Sequence, residues 1–386
     1  MSGTAPLTGL LVADFSRVVA GPYVTMSLAD LGAEVIKVER PGSGDDTRLW
    51  GPPWAPDDGG RGGRTSTYFQ SVNRSKRSVT LDLTDDADLV LARRLTQRAD
   101  ILVENFTVGT MESFGLGYEA VSAGNPRIVY CSVIGFGTTD AARDLPGYDL
   151  LAQAATGLMD ITGSADGPPT KVGVAVIDIL TALHATVGVL AALEERHRTD
   201  RGRHVSVSLY DAGMATLLNQ GSAWLSAGSL ARRKGNDHPS IAPYSAYRAR
   251  DRELIVACGN DAQFARLVAV LGRPELATDP RFATNEARVG HRGELTSVLE
   301  AALAGDDAHA WERRLREVGV PAGPINTIAE AFRLGEALGL DPIVDAAGVP
   351  TVRPAVRFDG GTGVVPTRPP ALGEHDVELR AWLSSD

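Results

Sequence analysis

The chain has 386 residues, of which 43% are hydrophobic and 22% charged, and its formal net charge is -10. This length allows two or three domains, each with a large core. The acidic balance argues against nucleic acid as a partner, which normally demands a basic face, but it leaves room for a local basic pocket. Cys131 and Cys258 are the only cysteines, so the sequence predicts neither a disulfide framework nor a metal site.

Targeting signals are not evident in the sequence. The N-terminus lacks the basic region and apolar core of a signal peptide. No window is expected to reach the length of a membrane span. The sequence therefore predicts a cytoplasmic protein with no membrane partner.

The first third of the chain alternates strand and helix patterns. Strands are predicted at residues 10–15, 34–39, 78–83, 101–103 and 127–130, and helices at residues 22–31, 87–98 and 118–123. Alternating βαβ units predict an α/β fold with a mostly parallel, Rossmann-like sheet covered by helices. Residues 41–64, rich in Gly, Pro and Asp, are predicted to cover a site or form an interface.

The second half of the chain changes character. An apolar helix is predicted at 179–193 and a strand at 205–209; a smaller α+β unit follows, with a strand at 254–257 and helices at 262–271 and 294–303. Residues 321–324 are predicted to cross back, and a last short helix starts at Val377. We therefore predict a large domain over 1–225, a small domain over 226–325 and a C-terminal segment over 326–386 that returns to the large domain.

Asp178 is the most informative residue. It ends an almost apolar, strand-like run over residues 169–177 and precedes the apolar helix. An ionised, unpaired carboxylate in such a place is costly. It could be a helix N-cap, which this segment alone favours. It could instead be a partly desolvated nucleophile held by the same first-turn N–H groups.

Common cofactor motifs do not match. The first strand leads into a turn with one glycine, Gly21, where a dinucleotide fingerprint needs three, so Glu39 carries little weight as a ribose ligand. Walker A, Gly-x-Ser-x-Gly and His-Glu-x-x-His patterns are absent from the sequence. NAD and ATP sites are therefore not predicted.

A cluster of cations lies near the predicted strand ends. Arg74, Lys76 and Arg77 fall within four residues, and Lys37 and Arg40 close the second strand. Carboxyl ends of parallel strands share one edge of a sheet, where such groups could bind phosphates. A solvated basic turn paired with nearby aspartates explains the pattern equally well.

Tyr148, in Gly147-Tyr148-Asp149, has two interpretations. It could be a core aromatic with a satisfied hydroxyl, which is the commoner case. It could instead donate a hydrogen bond to a reacting carbonyl.

Taken together, these segments resemble the class III CoA-transferases, the group that contains formyl-CoA transferase and the carnitine and bile-acid CoA-transferases. The resemblance runs nearly end to end. It is carried by residues 13–15, 20–22, 31–40, 73–78, 103–106, 147–149, 173–178, 201–202, 259–261 and 372–375.

The resemblance implies a nucleophilic role for Asp178. Its carboxylate would attack an acyl-CoA thioester to give an acyl–aspartyl anhydride, and then an aspartyl-CoA thioester. A small acceptor carboxylic acid would finally take the CoA. Tyr148 would assist at the reaction centre. CoA and acyl-CoA are implied as substrates, with no permanently bound cofactor.

By the family pattern, the CoA site involves Val18, Arg40, Lys76, Asn105 and Phe106. The chain departs from formyl-CoA transferase at Val19, which replaces a Gln, and at Ser113, which replaces an Arg. The polyglycine lid of formyl-CoA transferase has no counterpart in this sequence. Val19, Gly259 and Asn260 are the remaining candidates for the substrate pocket.

Two alternatives stay open. The α-methylacyl-CoA racemases resemble this chain but have a His where it has Tyr148, and a phenol of ordinary pKa, near 10, is a weak base. A non-catalytic acyl-CoA binder is the second alternative. The resemblance also implies an interlocked homodimer.

Overall fold

The computed structural model describes residues 5–56, 64–359, 361 and 364–385. Part of the predicted covering segment, residues 57–63, lies outside these ranges. Within them the strands, in chain order, are β1 (Leu11–Asp14), β2 (Glu34–Glu39), β3 (Trp54–Pro56), β4 (Arg64–Ser66), β5 (Arg77–Thr80), β6 (Ile101–Glu104), β7 (Val129–Ile134), β8 (His204–Ser208), β9 (Tyr244–Arg248), β10 (Glu253–Ala257), β11 (Ala322–Pro324), β12 (Ile343–Ala346) and β13 (Val349–Val352).

Helices lie between these strands. They are α1 (Ala20–Asp30), α2 (Thr67–Val72), α3 (Asp86–Arg98), α4 (Thr110–Ser113), α5 (Tyr118–Gly124), α6 (Asp149–Ala155), α7 (Leu158–Ile161), α8 (Val176–Thr199), α9 (Leu209–Thr216), α10 (Leu218–Ala227), α11 (Asp261–Val270), α12 (Asn285–Gly290), α13 (Arg292–Leu303), α14 (Ala308–Glu317), α15 (Ile328–Ala337) and α16 (Asp376–Ser384). Short 3-10 turns cover Asp46–Leu49 and Pro274–Ala277.

The main sheet has six strands in the order β5-β2-β1-β6-β7-β8, and every neighbouring pair is parallel. The predicted parallel α/β sheet is therefore confirmed. The chain winds outward from β1 in one direction and from β6 in the other. The carboxyl ends of β1 and β6 thus form a topological switch point, which is where open α/β sheets bind ligands.

Apolar cores cover both faces of this sheet. Helices α1 and α8 pack against each other, and α8 also packs on β7 and β8. Helices α3, α5 and α16 lie on the opposite face. The central strands between them are buried on both sides, and all six residues of β7 are buried, for example. The edge strand β8 is instead exposed at alternate residues.

Helix α8 differs from the sequence-based prediction. Residues 169–175 form no strand; Gly173 and Val174 are exposed, and the helix begins at Val176 with Ala175 as its N-cap. Asp178 lies in the first turn, so the N-cap interpretation is wrong.

The expectation that no window reaches membrane-span length is also wrong. Helix α8 has 24 residues and a mean hydropathy of 2.0 over its most apolar window. One such helix is weak evidence for a membrane, because the core helix of a sheet-covering layer has the same composition. Here one face of α8 is buried against the sheet.

The chain divides into two compact units. The first comprises residues 1–159, 171–230 and 341–386, and the second 160–170 and 231–340. The second unit contains the antiparallel sheet β11-β10-β9 with helices α11 to α14 around its own core. The predicted crossing at 321–324 is wrong, because Ala322–Pro324 pairs with β10 as a strand. The return to the first unit starts at residue 341 rather than 326.

Candidate active site

The switch point of the main sheet is fixed by Asn105, which follows β6. Its side chain makes two hydrogen bonds to the backbone of Arg17, the third residue after the end of β1. Oδ1 accepts from the Arg17 N–H at 2.8 Å, and Nδ2 donates to the Arg17 carbonyl at 2.7 Å. Gly21 leaves room for the Ser16 side chain of this loop, because a Cβ on Gly21 would lie 2.2 Å from the Ser16 Cβ. Asn105 therefore shapes the crevice by holding the neighbouring loop.

Val18 has a backbone conformation that is rare for a β-branched residue. Its φ is 69°, in the left-handed region. Its N–H donates to the Asp45 carboxylate, at 3.3 Å and 3.2 Å to the two oxygens. Such strain persists only where surrounding contacts impose it, and it is most common at functional sites. Val19, which follows, is buried and precedes α1.

A buried network of charges supports this loop. Lys37 pairs with Asp45 at 3.0 Å and donates to the Ser16 carbonyl at 2.8 Å, while Lys76 pairs with Asp14 at 3.0 Å. Burial alone would raise the pKa of Asp14, but the two ammonium groups, helped by hydrogen bonds from the Ser16 and Thr25 hydroxyls, lower it to about 2. Buried charges need such compensation, and each group here has a partner of opposite sign.

Three cations of the cluster are therefore paired with aspartates, as the second interpretation held, but Lys37, Arg74 and Lys76 are buried rather than solvated. Lys76 is fully buried, and its Nζ also donates to the Pro22 carbonyl and the Asn73 side chain, both at 2.9 Å. Arg74 is ion-paired with Asp30. Neither cation is presented to a phosphate, so the placement of Lys76 does not fit a direct CoA contact.

Arg40 remains at a cavity. This first cavity lies at the carboxyl ends of β1, β2 and β5. It is lined by Phe15, Ser16, Arg17, Lys37, Val38, Glu39, Arg40, Gly44, Asp45, Asp46, Leu81, Asp82, Leu83, Thr84, Phe106 and Phe114. The exposed Arg40 beside two half-buried phenylalanines provides a cation and aromatic faces in one place.

A second cavity continues from the first, sharing Arg17, Asp46 and Phe106 with it. The predicted site residues that it brings together are Val18, Val19, Asn105, Phe106, Tyr148 and Asp178. Gly259 and Asn260 belong to the second unit, where Asn260 caps α11 by accepting from the Gln263 N–H.

Asp178 is 9% exposed and lines the second cavity. Burial, with a smaller contribution from the charge of Asp149, raises its pKa to about 7. A carboxylate removed from water in this way is a better nucleophile and a stronger base.

One interpretation of the sequence was that the first-turn N–H groups of α8 hold the Asp178 carboxylate. In the structure they do not. Asp149 Oδ1 accepts from the N–H groups of Ile177 at 2.7 Å and Asp178 at 3.2 Å. Gln153 donates to the other Asp149 oxygen at 2.6 Å. A side chain from α6 therefore caps α8.

A pair of glycines positions the turn that carries Tyr148 and Asp149. Gly147 packs against Gly135, so that a Cβ on either would lie 2.7 Å from the Cα of the other. This backbone contact joins the start of α6 to the end of β7. Tyr148 is 60% exposed, with its ring at the cavity rather than in the core.

Several residues of this site escaped sequence reasoning. Arg143 and Asp149 line the cavity, and Tyr68 lies close enough to Asp178 and Asp149 for their charges to raise its pKa further, after burial. Asp149 could have been recognised because it adjoins Tyr148. Tyr68 and Arg143 carried no sequence signal, since they come from distant segments.

Neither cavity is lined by a histidine among the described residues. Within the same residues, no group of three or more His, Cys, Asp or Glu side chains is arranged to hold a metal. The chemistry available at the second cavity is therefore that of a desolvated carboxylate with phenol and guanidinium groups nearby.

This chain belongs to CoA-transferase family III, whose family model matches residues 7–376. The sequence-based resemblance to class III CoA-transferases is thereby confirmed. A CaiB/BaiF family protein from Brucella suis superimposes with a TM-score of 0.90 at 43% identity, covering 99% of this chain and 100% of that one.

Two relatives of named activity match over most of their length. The succinate–glutarate CoA-transferase of Agrobacterium fabrum is 40% identical, covering 98% of this chain and 96% of the relative. The acetyl-CoA:oxalate CoA-transferase of Acetobacter aceti is 39% identical, covering 92% and 90%. The chain is therefore a CoA-transferase by family, with relatives that use several acids.

Proposed function

We propose that this protein transfers CoA from the thioester of one dicarboxylic acid to another dicarboxylic acid, with Asp178 as the nucleophile. The observation that carries the proposal is the buried Asp178 carboxylate, with its pKa raised to about 7, lining a cavity at the switch point of the sheet. The names of the relatives above include succinate, glutarate and oxalate, which are dicarboxylic acids, beside acetyl-CoA, the thioester of a monocarboxylic acid.

CoA would lie across both cavities. The exposed Arg40 would bind phosphate, and Phe106 and Phe114 would contact the adenine. Arg17, shared by the two cavities and 5.6 Å from the Phe106 ring, would guide the pantetheine arm past Val18 toward Asp178. Asn105 and the buried Lys76 would act indirectly, by holding the loops that form this path.

The reaction would proceed by two exchanges at Asp178. Its carboxylate oxygen attacks the donor thioester carbonyl, the C–S bond breaks, and CoA leaves as a thiolate with a mixed anhydride on the enzyme. The thiolate attacks the aspartyl carbonyl, releasing the donor acid and forming an aspartyl-CoA thioester. The acceptor carboxylate then attacks this thioester, and the expelled thiolate takes the acceptor acyl group, which restores Asp178.

Tyr148 would donate a hydrogen bond to the oxyanion that forms at each attack, because its exposed phenol lines the same cavity as Asp178. The first-turn N–H groups of α8 are held by Asp149 and are not free for this role.

An isotope experiment tests this mechanism. An acceptor with both carboxylate oxygens labelled as ¹⁸O should deliver one label to Asp178 in each turnover, because the anhydride oxygen stays with the aspartate when CoA takes the acyl group. Mass spectrometry of the peptide that contains Asp178 reads the label. Asp178→Ala should bind CoA but neither exchange it nor gain label. Exchange at the wild-type rate by that variant would disprove the mechanism.

A racemase is the second candidate, because a pKa of about 7 also suits a general base. It needs a second proton-transfer group on the other side of the α-carbon, and neither cavity offers a histidine among the described residues. In deuterated water, deuterium at the α-carbon of unexchanged 2-methylacyl-CoA would identify the racemase. New acyl-CoA without deuterium would identify the transferase.

We also propose a homodimer, interlocked as in the family. Large apolar side chains are exposed on α8 and α10, among them Leu183 (46%), Val187 (66%) and Leu225 (84%). A second copy of the chain would cover such surface. Light scattering on the purified protein measures the mass, and a monomer would overturn this point.

A further inference from the structure

Arg143 is the cation of the second cavity that the mechanism above leaves unused. It lies in the loop between β7 and α6 and lines the cavity together with Tyr148 and Asp178. Its backbone N–H donates to the Thr139 carbonyl at 2.9 Å, so a turn holds this residue in place. The side chain is half-buried.

The guanidinium of Arg143 makes no hydrogen bond or ion pair to another of the described residues. In the part of the chain that the structure describes, no carboxylate lies within 4.0 Å of it, whereas Arg17, the other arginine of this cavity, is 3.5 Å from Asp46. Arginines that serve only stability are usually paired, as Arg74 is with Asp30. Arg143 is therefore free to bind an anion from the cavity.

Gly109 leaves space for this guanidinium. A Cβ on Gly109 would lie 3.2 Å from Nη2 of Arg143, and this glycine has a φ of 94°. The Arg143 side chain thus rests against the turn that follows Phe106, on the wall of the cavity.

The other charges of the cavity make such a cation necessary. Asp46, Asp144, Asp149 and Asp178 all line it. A dicarboxylic acid brings two negative charges, and its thioester still brings one at the far end. Without a cation, this second carboxylate would meet a surface of its own sign.

From these observations we infer that Arg143 is the specificity-determining residue of the transferase: it binds the second, non-reacting carboxylate of the diacid while the first reacts at Asp178. This inference rests on the proposed function. The planar guanidinium offers a bidentate fork to that carboxylate. The preferred diacid length would then report the span between Arg143 and Asp178.

The test compares glutarate with pentanoate, an acid of equal length that lacks the second carboxylate, as acceptors from succinyl-CoA. In Arg143→Gln, the KM for glutarate should rise about 10- to 100-fold, the range expected for a charged hydrogen bond. The kcat for glutarate and both constants for pentanoate should stay near wild type. Arg143→Lys should recover part of the loss, since it restores the charge without the fork.

Two further variants check the charge argument. Asp144→Asn removes a negative charge from the same cavity and should lower the KM for glutarate. This effect is opposite in direction to that of Arg143→Gln. Arg313→Gln removes an exposed arginine of α14 in the second unit and should change neither acceptor.

Three results would overturn the inference. Equal losses for glutarate and pentanoate in Arg143→Gln would mean a general structural role. An equal rise in the KM of every CoA donor, with acceptor preference kept, would place Arg143 on CoA instead. Absence of exchange by the wild-type chain with any acid would remove the proposed function, and this inference with it.

Discussion

The Asp149 carboxylate accepts a hydrogen bond from the backbone N–H of Asp178 at 3.2 Å. The same oxygen accepts from the Ile177 N–H, so Asp149 caps helix α8 and also places a negative charge beside the Asp178 side chain. That charge contributes to the raised pKa of Asp178, after burial. One side chain therefore fixes the position of the candidate nucleophile and strengthens its basicity.

The pH dependence of exchange should follow the ionisation of Asp178. Only the carboxylate is nucleophilic, and burial raises its pKa to about 7. We expect kcat/KM to increase with pH through about 7 and then level off, because this constant reports groups of the free enzyme. Initial rates across the range of about pH 5 to 9 measure it. A flat profile over this range would contradict a nucleophile of raised pKa.

Asp149→Asn should shift the rise of kcat/KM with pH, described above, to lower pH. The substitution removes the charge that raises the pKa of Asp178 but keeps an oxygen that can cap α8. The same kcat/KM profile measures the shift, and Asp166→Asn, at an exposed position of the second unit, is the control. If the rise of kcat/KM stays at the same pH in this variant, burial alone sets the pKa of Asp178.

Asp178→Asn should stabilise the protein while abolishing exchange. Because the folded-state pKa is raised from 3.8 to about 7, the folded chain favours the protonated carboxyl, and this stabilisation is lost as pH rises through about 7. The neutral amide avoids that loss. We expect the variant to be about 1 to 4 kcal/mol more stable at about pH 8 and no more stable at about pH 4. Urea unfolding at both pH values checks it, and an equal difference at both would refute the explanation.

Gly147→Ala should impair exchange through the position of Tyr148 and Asp149. The added methyl group would lie 2.7 Å from the Gly135 Cα, so the backbone of the turn must shift. A displacement of about 1 Å at a reacting group can cost about 100-fold in rate. Gly293→Ala in α13, where nothing lies within 4 Å, is the matched control. Wild-type kcat for Gly147→Ala would show that the turn tolerates movement.

Lys76→Met should destabilise the fold without weakening CoA binding by the folded protein. It leaves the Asp14 carboxylate buried and without its closest ion pair, at an expected cost of about 3–5 kcal/mol. Denaturant unfolding measures this loss, and adding Asp14→Asn should recover part of it. Calorimetric titration with CoA gives the second readout. A large rise in Kd with unchanged stability would restore Lys76 as a phosphate ligand.

Local sequence patterns were sufficient for much of the fold. Strand β2 was predicted at residues 34–39 and is observed as Glu34–Glu39, because a short apolar run after Gly32 has few alternatives. The strand-like run at 169–177 forms no strand, since Gly173 and Val174 are exposed and the helix begins at Val176. An apolar run gives no information about which of its residues the tertiary structure will bury.

At the candidate site, too, some features follow from the sequence and others depend on the tertiary structure. Motif residues such as Asp178, Tyr148 and Asn105 were identified and do line one cavity. Lys76 was expected to bind CoA, but in the structure it forms an ion pair with Asp14. Arg143 was overlooked because its significance depends on what lies around it, and no spacing along the chain encodes that.

The sequence by itself determined the α/β class, the family and the choice of Asp178 as the candidate nucleophile, because these depend on periodicity and on residue type at matched positions. Only the tertiary structure decided which charges are paired and which are free. It buried Lys76 beside Asp14, placed Asp149 against the first turn of α8 and left Arg143 at a cavity wall. Pairing and desolvation arise between segments distant in sequence, and those two effects set charge, pKa and ligand preference.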